Sequence, residues 1–302
     1  MRRYPILFVS LCLIWTLGAA ETLRVATYNL ENYLLMDRQV DGAWRPDYPK
    51  PESEKQIVRE VIRSAAPDVL LVQEIGSAAL LEELRLDLAA EGLVYPHAVH
   101  LVAMDTVRQV GLLSRIAPRE VVRHTDLDFK YHQARTGVRR GLLEVGFDSA
   151  SGERFSVFGV HLKSRWTVDE RDPESQKLRI GEAEACRNRV IERTLERGQL
   201  SYMIAGDFND HPNSAALRRF YQRGDVALGT LLLAADGCGE RWTYFYGREV
   251  TYQLIDGFVL SADLLSRVNG AGGHISAHPH ALQGSDHRLV YVDFDFPDPE
   301  SQ

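Results

Sequence analysis

A chain of 302 residues, 45% hydrophobic and 25% charged, has the composition of a soluble globular protein and the length for one large domain or two small ones. With 35 basic and 42 acidic side chains it carries a net charge of −7, which excludes capture of a polyanion through the global field. A nucleic acid or anionic lipid would have to be met by a local basic patch together with metal ions.

The first element stands apart from the fold. Met1-Arg2-Arg3 is basic, Ile6 to Leu17 is mostly apolar, and Gly18-Ala19-Ala20 offers small residues before Glu21. This layout predicts a secretory signal peptide over residues 1–20, cleaved after Ala20. The run is short for a membrane span, and no other segment is apolar enough to cross a bilayer. The mature chain is therefore expected in a secreted or periplasmic space, without a membrane span and as a monomer. Residues 21–296 form its domain and 297–302 a flexible tail. Loss of Arg2 and Arg3 leaves 33 basic against 42 acidic residues, a charge of −9. Cys186 and Cys238 remain; they can pair in an oxidising compartment or stay free.

Leu23 to Tyr28 alternates as a strand and ends in Asn29-Leu30-Glu31-Asn32. Met36 to Pro51 reads as a long polar loop. Ser53-Glu54-Lys55-Gln56 is a capping-box pattern opening a helix that Pro67 ends. Val69 to Val72 is an apolar strand with Gln73-Glu74 at its end. Ser77 to Ala90 is a second helix, with Gly92 placed to follow its C-terminus. Strand character recurs at Ala98 to Ala103, Val110 to Leu113 and Glu120 to Val122. Gly141 to Phe147 and Arg154 to Val160 form a hairpin pattern that runs into His161-Leu162-Lys163. Pro173 to Arg197 reads as one long helix. Tyr202 to Ala205 is a short apolar strand that breaks at Gly206 and presents Asp207 and Asn209, two apart and so on one face of an extended chain. A helix near Ser214 to Gln222 follows, then an aromatic strand, Trp242 to Tyr246, whose rings read as core. Gln253 to Ser261 carries Asp256 near its start, and Gly284-Ser285-Asp286-His287 opens the last strand, Arg288 to Phe294. His97, His124, His274, His278 and His280 read as loop histidines.

The polar residues share a pattern. Asn29, Glu74, His161 and Asp207 each follow an apolar strand, while Asp256 and Asp286-His287 each open one. Strands running in opposite directions would bring all of them to one rim. Glu31, Glu74, Asp207, Asp256 and Asp286 gathered without a cation would repel one another, so the set calls for Mg²⁺, with Mn²⁺ or Ca²⁺ as alternatives. Few histidines and no thiolate pair argue against zinc. His287 can be oriented by Asp256, and His161 and Lys163 can face a phosphate. This chemistry suits hydrolysis of a phosphate ester.

The residues also carry a resemblance. Tyr28-Asn29-Leu30-Glu31-Asn32, Val72-Gln73-Glu74, Gly111-Leu112-Leu113-Ser114-Arg115, Gly159-Val160-His161-Leu162-Lys163, Gly206-Asp207-Phe208-Asn209, Ile255-Asp256 and Gly284-Ser285-Asp286-His287 resemble, in order, the motif series of the endonuclease/exonuclease/phosphatase family, the deoxyribonuclease-I-like fold. The resemblance implies an α/β protein, a four-layer α/β/β/α sandwich with two packed mixed β-sheets, and divalent-metal phosphoesterase chemistry. It implies Glu74 as principal Mg²⁺ ligand with Asn29, Glu31 and Asp286 close by. It implies His287 with Asp256 at the attacking water, Asp207 sharing that role, Asn209 and His161 at the phosphate, and Arg140 as a phosphate-contacting arginine. Gly257 departs from the Tyr or second acidic residue that often follows Ile-Asp in the family.

The expectation is a secreted or periplasmic nuclease acting on phosphodiester bonds of nucleic acid. The alternatives are a lipid or small-molecule phosphodiesterase of the same fold, and a non-catalytic binding module.

Overall fold

The computed structural model describes residues 21–296. The predicted signal peptide and tail lie outside the described residues. Two mixed sheets pack face to face, and helices cover both outer faces. Sheet one runs Ala234–Ala235, Gly273–Ile275, Val290–Phe296, Glu21–Tyr33, Val69–Ile75, Gln109–Ser114, His97–Leu101. Sheet two runs Thr230–Leu231, Asp256–Leu260, Tyr202–Asp207, Arg154–His161, Leu142–Asp148, Glu120–His124. Each holds a parallel pair at its centre, Glu21–Tyr33 beside Val69–Ile75 and Arg154–His161 beside Tyr202–Asp207; sheet one has a second parallel pair at its edge, Ala234–Ala235 beside Gly273–Ile275, and the remaining neighbours are antiparallel.

Alternation along the strands builds the layers. Leu23, Val25, Leu71, Val157, Met203 and Phe258 point inward to the core between the sheets. Ala26, Tyr28, Leu70 and Val72 point outward onto helices α1 (Glu52–Ala65) and α2 (Ala78–Ala90). Phe158, Val160 and Ile204 do the same against α3 (Gln176–Arg193) and α4 (Ala215–Tyr221). This is the four-layer α/β/β/α sandwich. Among the described residues no helix is long and apolar enough to cross a membrane.

Several local expectations change. The segment after Met36 is a hairpin, Met36–Val40 with Ala43–Tyr48, turned at Asp41-Gly42 with both φ values positive. Helix α1 starts one residue earlier than its capping-box pattern, behind Pro51, and has no side-chain cap bond. The long helix is three pieces: a turn at Pro173–Ser175, α3, and a turn at Leu195–Arg197. The Thr194 hydroxyl bonds back to the Val190 carbonyl at 2.6 Å and marks the break. His97, His124 and His274 lie in strands, and His124 is buried against Glu144 at 2.7 Å. Cys186 is buried on α3, Cys238 is exposed, and both are free.

Sheet two is pinned at Gly206, which has φ +141° and sits where a Cβ would lie 1.9 Å from the Val160 carbonyl oxygen. The parallel strand carrying His161 can lie alongside only because this position has no side chain. Gly206→Ala is expected to lower stability by at least about 2 kcal/mol, read as a fall in the denaturant midpoint.

Candidate active site

Strand register assembles the first half of the site. In sheet two His161 pairs with Asp207, and Asp207 with Asp256, so three polar residues form one row across three strands. In sheet one Asn29 pairs with Gln73, which places Glu31 and Glu74 beyond the same rim. The sheets meet there: the Asn29 amide donates to Asp207 Oδ2 at 3.0 Å. The predicted rim is thus formed, and a cavity of about 900 Å³ opens over it.

At each strand end the backbone turns into the left-handed region. Glu31 has φ +45°, Asn32 +56°, Glu74 +57° and Asn209 +53°. This conformation is strained for glutamate and is held by the surrounding bonds. Glu74 Oε2 accepts from the Asn32 amide at 3.0 Å, and Glu31 Oε2 from the Asp286 amide at 3.0 Å. Buried Lys50 donates to the Glu31 carbonyl at 2.8 Å. The Ser285 hydroxyl donates to the Asn29 carbonyl at 2.7 Å and accepts from the His287 amide, so the last motif is tied to the first.

Asp207 and His287 form the buried acid–base centre. Asp207 Oδ1 accepts from the Asn209 amide at 2.8 Å, and Oδ2 from Asn29 and from the Asn209 side chain at 2.9 Å. Burial, then the charge of Asp256, pushes Asp207 up to about 7 despite His287 and these donors. His287 Nδ1 lies 2.9 and 3.1 Å from the two Asp256 oxygens, and its Nε2 lies 3.7 Å from Asp286. Burial opposes its charged form, but Asp256, Asp286 and Asp207 outweigh burial and hold its pKa well above the ordinary histidine value. His161, 3.5 Å from Asp207 and 3.9 Å from Glu74, is driven the other way by burial and by Arg140, and stays neutral. Its Nδ1 is buried without a partner.

Glu31, Glu74 and Asp286 face one another across the cavity floor. Burial pushes Glu31 up, with Glu54 and Glu74 adding to it against Lys50. Burial pushes Asp286 up to about 7, with Glu31 and Glu74 adding to it against His287. Three carboxylates gathered on one cavity floor fit a hard divalent cation. A second group, Asp207, Asp256 and His287, places ligand atoms within 4.8 Å of one another. There the His287 Nδ1 faces Asp256 and both Asp207 oxygens already accept amide protons, so this group is satisfied without an ion, and the less tightly gathered Glu31, Glu74 and Asp286 are the oxygen donors left to take a cation.

The remaining predicted residues are placed as follows. Arg140 is buried at the cavity wall, 3.0 Å from Asp105. Lys163 turns its ammonium to the Ser164 and Trp166 carbonyls, so it braces the loop it belongs to. Asn209 directs its amide to Leu162 O and Asp207, so it anchors Asp207. Sequence reasoning missed Tyr244, whose ring lies 4.7 Å from that of His287, and Tyr246, stacked beyond it; both line the cavity. Their alternation in a β pattern was visible, but not which face the hairpin would turn to the site. It also missed Arg108, 3.6 Å from Glu74.

A pH dependence follows. A carboxyl whose folded pKa is raised adds stability below its ordinary pKa, and that contribution is lost as pH rises through the folded value. For Asp286 the window runs from the ordinary aspartate range to about 7. A cation must displace the Asp286 proton at about pH 5 and meets a free carboxylate at about pH 8. The rise in melting temperature with Mg²⁺ is therefore expected to be larger at the higher pH, measured against a chelator control.

No curated protein matches the sequence. Among solved structures, an endonuclease/exonuclease/phosphatase from Bacteroides vulgatus superposes with a TM-score of 0.62 at 16% identity, covering 90% of this chain and 98% of that one. The human Nocturnin catalytic domain with bound sulfate gives 0.59 at 15%, covering 90% and 94%. A Staphylococcus aureus beta toxin mutant with bound magnesium ions gives 0.62 at 12%, covering 90% and 99%. These likenesses show the shared fold. The sequence itself matches the Endonuclease/Exonuclease/phosphatase family over residues 26–287, so the chain belongs to that family of divalent-metal-dependent hydrolytic phosphoesterases.

Proposed function

We propose that the protein is a secreted or periplasmic, Mg²⁺-dependent phosphodiesterase and that its substrate is nucleic acid. The observation that carries the catalytic reading is the meeting of the His161–Asp207–Asp256 row and His287 with the Glu31–Glu74–Asp286 carboxylates in one cavity. Glu31, Glu74 and Asp286 would hold the cation, which when bound supplies charge stabilisation at a phosphate oxygen and the leaving group. Asp207, raised to about 7, is poised to take a proton from an attacking water. Asn29 and Asn209 keep its oxygens oriented toward that task. His287, cationic in the grip of Asp256, is placed to meet the negative charge that builds on the phosphoryl group. Neutral His161 can donate from Nε2 without adding charge beside Asp207.

Nucleic acid is favoured by the basic wall of the cavity, where Arg108, Arg139, Arg140 and Arg165 stand in an otherwise acidic protein. A phospholipid is the second reading, because Trp166 is 74% exposed at the cavity mouth and Trp44 is 73% exposed on the hairpin Met36–Val40 with Ala43–Tyr48.

Purified protein assayed with Mg²⁺, Mn²⁺ or Ca²⁺ against plasmid DNA, RNA, sphingomyelin and a generic phosphodiester should cleave the nucleic acids fastest. Preference for sphingomyelin would move the assignment to lipid. Glu74→Gln, Asp207→Asn and His287→Ala should each lower turnover at least about a hundredfold while far-UV circular dichroism is unchanged. Wild-type rates in any of them would refute the role given to that residue.

A further inference from the structure

The cavity wall opposite the acidic floor is built around a buried carboxyl group. Glu182 on α3 is 0% exposed; its Oε1 accepts from the Arg139 amide at 3.0 Å and its Oε2 from the Lys163 amide at 2.7 Å. The Arg139 carbonyl in turn accepts from the Asp105 amide at 2.7 Å. Three residues earlier on the same helix face, buried Arg179 bonds Asp210 at 2.9 Å and the Lys163 carbonyl at 3.0 Å. The loops that carry Arg139, Lys163 and Asp210 are therefore fixed to one helix.

Most of the cations on this wall already have partners. Arg108 pairs with Glu74, Arg140 with Asp105, and Lys163 with loop carbonyls. Arg165 reaches Asp210 only at 3.8 Å and is 41% exposed at its side chain. Arg139 has no carboxylate of the described residues within ion-pair distance, and its Nε is buried without a hydrogen-bond partner. A half-buried guanidinium at a cavity wall, its Nε shielded from water without an acceptor, on a backbone anchored at both its amide and its carbonyl, is placed to take an anion.

Resting on the phosphodiesterase reading, we propose that Arg139, with Arg165, is a second anion subsite that takes the phosphate next to the scissile one in the same strand. The exposed indole of Trp166 follows Arg165 on this wall and offers the intervening base a face to stack on. A strand with successive phosphates meets both features, whereas an isolated phosphodiester meets neither.

The test compares KM for thymidylyl-thymidine, which has one phosphate, with KM for the same dinucleotide bearing a 5′ or 3′ terminal phosphate. Wild-type protein should favour one of the bisphosphorylated forms by roughly tenfold, about the worth of one charge-assisted hydrogen bond. Arg139→Ala should bring that ratio close to one, Arg165→Ala should reduce it, and Arg139→Lys should restore part of it. A ratio unchanged in Arg139→Ala, or an equal rise of KM for all three substrates, overturns the proposal. Thymidine 3′,5′-bisphosphate serves as a competitor; if its inhibition depends on Arg139 more than dinucleotide turnover does, assignment to a strand is overturned. If no dinucleotide is cleaved, the phosphodiesterase reading itself fails. Fluorescence anisotropy of the labelled dinucleotides in chelator then decides the subsite: an Arg139-dependent preference for the bisphosphorylated form upholds it, and none overturns it.

Discussion

Everything in this molecule accommodates one electrostatic problem: four carboxylates from distant parts of the chain, Glu31, Glu74, Asp207 and Asp286, converge on one cavity, with a fifth, Asp256, buried beside Asp207. Left to themselves, Glu31, Glu74, Asp207, Asp256 and Asp286 would spread apart, because buried like charges are costly. The fold opposes this with geometry and with counter-charge. Asp256 is matched to His287 through both of its oxygens. Asp207 is matched to three amide donors from two different sheets. Glu31 and Glu74 each receive one backbone donor, from Asp286 and Asn32, with Lys50 and Arg108 nearby, and the repulsion left among Glu31, Glu74 and Asp286 is of the kind a divalent cation relieves.

This arrangement also sorts the titrating groups by function. Asp207 and His287 are close neighbours with pKa values pushed in ways that differ in consequence. Asp207, pushed up to about 7, can exchange a proton near neutrality. Burial works against the charged form of His287, and Asp256, Asp286 and Asp207 outweigh it and favour the imidazolium. The sequence pattern paired His287 with Asp256, and the family resemblance implied that pair at the attacking water. The geometry retains the pair, with both Asp256 oxygens within 3.1 Å of His287 Nδ1, and sets Asp207 beside Asp256 in the neighbouring strand.

Much of the fold was legible because it depends on period and order. Alternation marked the Leu23 strand, apolar runs the Val69 and Tyr202 strands and a hairpin pattern the Arg154 strand, and these reached Asn29, Glu74, Asp207 and His161 at the expected ends. The ordered motif series carried the four-layer arrangement, which no single strand could have revealed. What stayed hidden depends on tertiary placement. The Asp41-Gly42 turn was a hairpin signal inside a segment dominated by polar residues and prolines. Tyr244 and Tyr246 were recognisable as strand residues, but their exposure depends on a two-stranded hairpin, Tyr244–Tyr246 with Thr251–Gln253, packed at the cavity edge. Lys163 had the position of a phosphate ligand, and only the path of the following loop shows its ammonium engaged by carbonyl oxygens. Glu182 had no signal at all, since a glutamate in a helix reads as a solvated face unless its partners are known.

The left-handed residues explain why the site is made of loop-end side chains yet is rigid. Glutamate is poorly suited to positive φ, and each such residue costs roughly 1–3 kcal/mol. Glu31 and Glu74 adopt it at the ends of the two central strands of sheet one, and Asn209 just past the central strand of sheet two. A strand that simply continued would alternate its side chains up and down and send every second one into the sheet packing. One residue of reversed twist ends the alternation and turns the carboxylate sideways over the rim. The bonds that hold it there, Asn32 to Glu74, Asp286 to Glu31 and Asn209 to Asp207, each run from a backbone amide to a site carboxylate. The acids are therefore oriented by the same hydrogen bonds that offset the strain, so backbone conformation and ligand geometry cannot be changed separately.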